Sequence, residues 1–195
     1  MAGRTFHFQR AEVEAILALI HNISDEGRGA LRARMRHLQR LSFPHGVNTG
    51  RGTPARYGLA PVFHLALAFE LIQLGISPER CVDLLNEGLP LIVKAGVHVF
   101  SSVLIPTYTG GELLLMIDPR ALATLQRADQ SEADRLTVGS IDDLGEYFSR
   151  GAGGVQSRMA VISLKGVIAS IVLAGQRLGY GTHDELLLGF DGMAQ

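Results

Sequence analysis

Cysteine is nearly absent from this chain, since Cys81 is the only one among its 195 residues. A single thiol can build neither an internal disulfide framework nor a thiolate metal site. Because Cys81 lies in the apolar phase of its segment, the pattern favours a plain buried side chain. We therefore expect a soluble protein of a reducing compartment.

Long uninterrupted hydrophobic runs are also missing. Glu70 interrupts the first of the longest apolar stretches and Lys165 interrupts the second, so neither is expected to span a bilayer. The N-terminal segment lacks the apolar region of a secretory signal peptide. These absences predict a cytoplasmic protein with no membrane partner.

Catalytic and metal-binding motifs are lacking as well. The 7 histidines show no HExxH or HxxxH spacing, and Gly153-Gly154 lacks the strand and helix context of a dinucleotide site. No serine stands in a nucleophile-elbow setting. Asp142 and Asp143 are adjacent, so their side chains would diverge on a helix and are better explained as capping acids. We expect no metal ion, no cofactor and no enzymatic activity.

Lysine is absent from residues 1–60, although this segment is strongly basic. It contains nine Arg and four acids, a balance of 9 − 4 = +5, whereas residues 61–195 carry nine basic and fifteen acidic residues, 9 − 15 = −6. Such asymmetry is typical of a chain of which one part meets a polyanion. Arginine suits this role because its planar fork matches phosphates and guanine edges.

The first two helices are predicted at about residues 9–22 and 25–41, with Ser24 as the N-cap between them. The second helix carries most of the positive charge beside an apolar stripe of leucine and methionine. Its polar set is Arg28, Arg32, Arg34, Arg36, His37, Gln39 and Arg40. Four of these arginines recur every fourth residue without an acid four positions away, so they repel one another unless an anionic partner is present. This pattern favours a binding face over a merely solvated one.

A segment rich in turn residues follows this helix. Val47 and Arg56-Tyr57 are candidates for short strands, and we interpret residues 45–58 as a hairpin, or wing. Arg51 and Arg56 would let the wing follow a phosphate backbone, and its glycines allow close approach.

Two more helices are predicted after the wing. The first begins at Pro61 and ends at Gly75, with His64 at the edge of the core. Ser77 caps the second, with Pro78 at its first position, and we expect it to end at Leu89 before Pro90.

The order of these elements resembles the DNA-binding domain of MerR-type winged-helix regulators, over about residues 8–88. The motifs are Leu41-Ser42-Phe43 at the end of the second helix, Arg56-Tyr57 at the close of the wing, and the segment from Leu71 to Ser77. By this resemblance Arg28, Arg32, Arg36, Arg51, Arg56 and Tyr57 would contact DNA. The chain departs from the family in its longer, glycine-rich hairpin region and in lacking the long dimerisation helix after Leu89.

The second half predicts a small α/β or α+β domain. Strands are expected within residues 96–106, 110–119, 136–140 and 158–164, and helices at about 119–127, 140–151 and 163–178. The last helix is apolar nearly all round, so it must be covered either by its own domain or by a partner subunit.

The sequence thus predicts a mixed fold with a winged helix-turn-helix in residues 1–90 and an α/β dimerisation and regulatory domain in residues 91–195. We expect a nucleoid-associated transcriptional regulator that binds double-stranded DNA as a homodimer through its C-terminal domain. Arg28 and Arg32 would read guanine edges, and Arg36 and Arg40 would neutralise phosphates. The strand and helix units of the second domain also offer pockets for a small-molecule effector, but the sequence does not locate such a site.

Three alternatives remain open at this point. The chain could be an architectural, excisionase-like factor that bends DNA, or a protein-interaction module that uses the arginine face. The third is an enzyme of unknown type in the second half, in which the Asp142 region would matter.

Overall fold

The computed structural model describes residues 6–47, 54–104, 112–117, 136–150 and 159–190. Within these ranges the chain forms helices and short antiparallel strands, so the predicted mixed α+β class is confirmed. In order, the elements are β1 Phe8–Gln9, α1 Arg10–Ile20, α2 Arg28–Arg40, β2 Arg56–Tyr57, α3 Leu59–Gln73, α4 Pro78–Leu104, β3 Leu114–Ile117, β4 Leu136–Gly139, α5 Ile141–Arg150, β5 Ala160–Ser163, α6 Leu164–Arg177 and α7 His183–Leu188.

Helices α1 and α2 confirm the first two predicted helices, with one change at the start of α2. The Gln9 backbone N–H donates to the Glu12 carboxylate at 2.6 Å, which caps α1. Ser24 accepts from the Gly27 N–H at 3.3 Å and forms a turn ahead of α2, which begins only at Arg28. Ser24 therefore shapes the turn between the helices rather than capping α2 directly.

Strand β2 confirms the prediction at Arg56-Tyr57, but its partner differs from the one expected. It pairs antiparallel with β1, with Phe8 opposite Tyr57 and Gln9 opposite Arg56. Val47 is buried and lies outside any strand, so the expected pairing of Val47 with Arg56-Tyr57 is wrong. Phe8 and Tyr57 are both buried, so this pairing places two apolar rings in the core. The tip of the predicted wing, with Arg51, falls outside the described residues.

Helix α4 overturns two predictions. Ser77 caps it as expected, accepting from the Arg80 N–H at 3.3 Å, but the helix continues through Pro90 to Leu104. The strand expected within residues 96–106 is therefore helical as far as residue 104. Beyond Pro90, buried Ile92, Ala95 and Val99 recur at helical spacing, so the packing of this face outweighs the hydrogen bond that proline cannot make.

The second sheet has the strand order β4-β3-β5, with both neighbours antiparallel to β3. These strands confirm three predictions, and α5 confirms the helix after Ser140. Ser140 donates its N–H to the Asp143 carboxylate at 2.7 Å, so Asp143 acts as a capping acid. The helix expected at residues 119–127 falls outside the described residues.

Helix α6 lies at the centre of the described core, against α1, α3, α4 and α7. Its buried stripe includes Val167, Ile168 and Ile171, whereas Ala169 and Leu173 face outward. Its buried side is therefore covered within the chain, but by α1 and α3 of the first half together with α4 and α7, and not by residues 91–195 alone. One hydrophobic cluster of the described residues includes side chains from both halves, and the expected boundary at residue 90 falls inside α4.

In the part of the chain that the structure describes, no helix combines the length and apolar character needed to cross a membrane.

Candidate nucleic-acid interface

The arginines of α2 occupy two distinct electrostatic environments. Leu31, Met35 and Leu38 are buried and anchor the helix, which leaves the opposite face to solvent. Along this face the arginines shift gradually around the helix, because a step of four residues slightly exceeds one turn. Arg28 and Arg32 consequently lie on the side of α2 that faces α1, whereas Arg36 and Arg40 lie on the side away from it.

Arg28 and Arg32 both form ion pairs with acidic side chains. The Arg32 Nε atom lies 3.6 Å from the Glu14 carboxylate of α1, and the Arg28 Nε atom lies 3.9 Å from Asp25. Arg28 also donates to the Glu14 carbonyl oxygen at 3.5 Å and is only 31% exposed. The contact with Glu14 could not be predicted from residue spacing, because it joins side chains of two different helices.

Arg36 and Arg40 are exposed on the outer face of α2 and have no acidic partner within the described residues. Together with Ala33 and Gln39 they line an open hollow of about 520 Å³. We call these four residues the arginine surface. The small side chain of Ala33 leaves room beside the two guanidinium groups, so a bulky anion could reach both of them.

A chain of polar contacts orients Arg40. Its Nη2 atom lies 3.4 Å from His37 Nδ1, and His37 Nε2 lies 2.7 Å from the Glu79 carboxylate of α4. This arrangement corresponds to an imidazole that donates from Nε2 and accepts at Nδ1. Hydrogen bonds from its own backbone and from His37 lower the pKa of Glu79, which therefore stays ionised.

Gln39 connects the arginine surface to β2. Its side-chain amide donates to the Tyr57 hydroxyl at 2.5 Å. Tyr57 is fully buried, and burial raises the pKa of its hydroxyl. Tyr57 thus cannot reach DNA in this conformation, contrary to the expectation from the family resemblance, and it positions Gln39 instead. Arg56, its neighbour on β2, is exposed.

Arg34 is exposed but stands apart from the arginine surface. It lies two residues from Arg36 and therefore points to nearly the opposite side of α2. Of the expected contact residues, the structure thus brings Arg36, Gln39 and Arg40 together, whereas Arg56 is exposed on β2 and does not line the hollow. Arg51 falls outside the described residues.

Metal ligands do not converge in the described ranges, where no group of three or more His, Cys, Asp or Glu side chains could hold an ion. Comparison with protein-family models, with curated proteins and with solved structures finds no match for this chain.

Proposed function

We propose that this protein is a sequence-specific DNA-binding transcriptional regulator that acts as a homodimer. The observation that supports the proposal best is the pair of exposed guanidinium groups of Arg36 and Arg40, which lack acidic partners within the described residues. In this proposal α2 enters the major groove, and the protein belongs to the nucleoid of a bacterial cytoplasm.

The charge of the arginine surface is the physical basis for an anionic partner. Two neighbouring cations on one helix face repel each other, and a phosphate backbone relieves that repulsion while releasing its own counterions. Arg36 or Arg40 can also donate in a bidentate manner to a guanine edge, which would discriminate between bases by about 1–3 kcal/mol. Gln39 is suited to an adenine edge, although it would first have to exchange its contact with Tyr57.

The acidic contacts of Arg28 and Arg32 make these two arginines less available for DNA than Arg36 and Arg40. Before binding DNA, each guanidinium would have to leave Asp25 or Glu14, and the carboxylate left behind would repel phosphates. We therefore assign the main contacts to Arg36 and Arg40 and a lesser role to Arg28 and Arg32. Arg56 would add backbone contacts from β2.

The first experiment is fluorescence anisotropy with mixed-sequence duplex DNA over a series of salt concentrations. It compares the wild type with Arg36→Ala/Arg40→Ala and with the control Lys165→Ala/Arg177→Ala. The control removes two exposed cations from α6 and so gives the same change in net charge. We expect the wild type to bind tightly at low salt. The slope of log affinity against log salt concentration should become shallower by at most about two phosphate equivalents in the α2 variant and should not change in the control.

Equal binding by the α2 variant and the control would contradict the assignment of the arginine surface. Absence of binding by the wild type at low salt would contradict DNA binding altogether and favour a protein partner for this surface. If the wild type binds, selection from a random DNA pool follows, and a palindromic site would support the homodimer.

A further inference from the structure

A cleft on another part of the molecule joins the end of α3 to β5 and α6. It is open to solvent, has a volume of about 510 Å³, and brings together residues that are distant in sequence. Its polar lining includes Glu70, Gln73, Ser163 and Ser170, and its apolar lining includes Leu74 and Val161. Leu74 is 52% exposed and Val161 is 38% exposed, so both offer apolar surface to a ligand in the cleft.

Glu70 is the charged group of this cleft, and no cation neutralises it within the described residues. Its nearest basic neighbour is His21, whose Nδ1 atom lies 3.6 Å from the Glu70 carboxylate. Burial lowers the pKa of His21 to about 4, so the imidazole is neutral at pH 7 and offers Glu70 no positive charge. Burial also raises the pKa of Glu70, as expected for a partly desolvated carboxylate without a counter-charge.

His21 and Gln73 form a hydrogen-bonded polar pair next to Glu70. The His21 side chain is only 3% exposed, and its Nδ1 atom lies 2.6 Å from the Gln73 amide nitrogen. Its Nε2 atom is buried without a partner in the described part of the chain. Because His21 Nδ1 accepts from Gln73, the imidazole donates no hydrogen bond to Glu70 from this atom, and the Glu70 carboxylate stays able to accept from a ligand.

The opposite side of the cleft has a second carboxylate close to it, which disfavours an anionic ligand. Ser163 caps α6 by accepting from the Gly166 N–H at 2.7 Å, and its hydroxyl donates to the Glu112 carboxylate. The N-terminus of α6 thus already has an anion beside it. Two carboxylates near one cleft produce a negative potential that attracts cations.

We propose that this cleft binds a small organic cation, namely a primary ammonium group attached to a short apolar chain. The ammonium group donates to Glu70, and the apolar chain covers Leu74 and Val161. Gln73 and Ser170 are within the same lining and can accept the remaining ammonium hydrogens. The proposal is independent of DNA binding, because no residue of the arginine surface lines this cleft.

Isothermal titration calorimetry at neutral pH tests this proposal, with n-hexylamine as the probe and n-hexanol and hexanoate as matched probes. We expect saturable binding of hexylamine at millimolar concentration or below, and no comparable binding of the alcohol or the acid. Glu70→Gln keeps the shape of the side chain and should weaken hexylamine binding by about tenfold or more, since it removes a charge-assisted hydrogen bond. Asp83→Asn, an exposed carboxylate on α4 outside the cleft, should leave binding unchanged.

Val161→Arg provides a second test that does not depend on the stability of the Glu70 variant. It places a cation at a partly exposed site of the cleft, where it would compete with the probe for Glu70 and abolish binding. Equal binding of hexylamine and hexanol, or a Glu70→Gln variant that binds as the wild type does, would overturn the proposal. So would failure of the wild type to bind hexylamine. Because no DNA is present, this result is distinct from failure of the proposed function.

Discussion

Burial sets the chemistry of two reactive side chains, Cys81 and His64. Cys81 is fully buried, and desolvation raises the pKa of its thiol to about 12, so it stays protonated and unreactive, as its apolar context predicted. Burial, followed by the charge of His45, lowers the pKa of His64 to about 4. His64 packs beside the rings of Phe43 and Phe63, which matches its predicted place at the edge of the core.

His64 should make the protein less stable in mild acid. Its ordinary pKa of 6.5 applies to the unfolded chain, so the unfolded state binds the proton more readily than the folded state. The neutral imidazole therefore contributes stability above pH 6.5, and this contribution is lost as the pH falls from 6.5 toward 4. We expect His64→Leu to reduce the loss of unfolding free energy between neutral pH and pH 5, as measured by urea denaturation.

The control for this prediction is His7→Gln, which removes an exposed histidine in place of the buried one. Burial also lowers the pKa of His21 to about 4, so His21 adds a pH dependence of the same sign; it remains in both variants, and their difference isolates His64. An identical pH dependence in His64→Leu and the wild type would contradict the prediction.

At the scale of elements, α4 shows packing overriding a local signal. Pro90 lies inside this helix and cannot donate the backbone hydrogen bond that an ordinary residue would make there. Apolar residues before and after it, including Leu85 and Ile92, are buried in the same core. The free energy of this burial keeps the helix continuous despite the proline.

Pro90→Ala should therefore stabilise the protein. Alanine restores a hydrogen-bond donor and avoids the clash of the proline ring with the preceding turn, so we expect a gain of about 1–3 kcal/mol in the free energy of unfolding. Urea denaturation followed by circular dichroism measures this gain. Asp83→Ala, at an exposed site of the same helix, should change stability by well under half of it. A less stable Pro90→Ala variant would show that the proline is favourable where it stands.

At the scale of the whole molecule, one hydrophobic core joins both halves of the chain. Buried Ile16 and Leu17 of α1 belong to the same cluster as Ile168 and Ile171 of α6, and these two helices are in contact. A helix-turn-helix formed by residues 1–90 alone would thus leave apolar surface of α1 and α3 exposed.

We expect the protein to unfold in one cooperative transition, because neither half can lose its structure without exposing the core of the other. Differential scanning calorimetry should give one peak whose calorimetric and van't Hoff enthalpies agree. A fragment of residues 1–90 should lack a cooperative transition under the same conditions. Two separable peaks, or a fragment that unfolds cooperatively, would support independent domains.

Much of the local structure was predictable from residue type and spacing. Leu31, Met35 and Leu38 defined the buried face of α2, and Ser77 and Ser140 stand at the starts of α4 and α5 as predicted. The tertiary partners of these elements and side chains were not predictable. Strand β2 was expected to pair with Val47, but it pairs with β1. Arg32 was expected to have no acidic partner, but it contacts Glu14. Tyr57 was expected on a surface and is buried.

The sequence by itself determined the helix faces, the caps, the buried thiol and the line of arginines on α2, because these depend on residues a few positions apart. Only the tertiary structure decided which arginines keep acidic partners, how far α4 extends past Pro90, and that Glu70 faces a cleft shared with β5 and α6. These features depend on which distant residues share a buried surface. Such contacts depend on the free energy of packing the whole chain, which cannot be read from any short segment of the sequence.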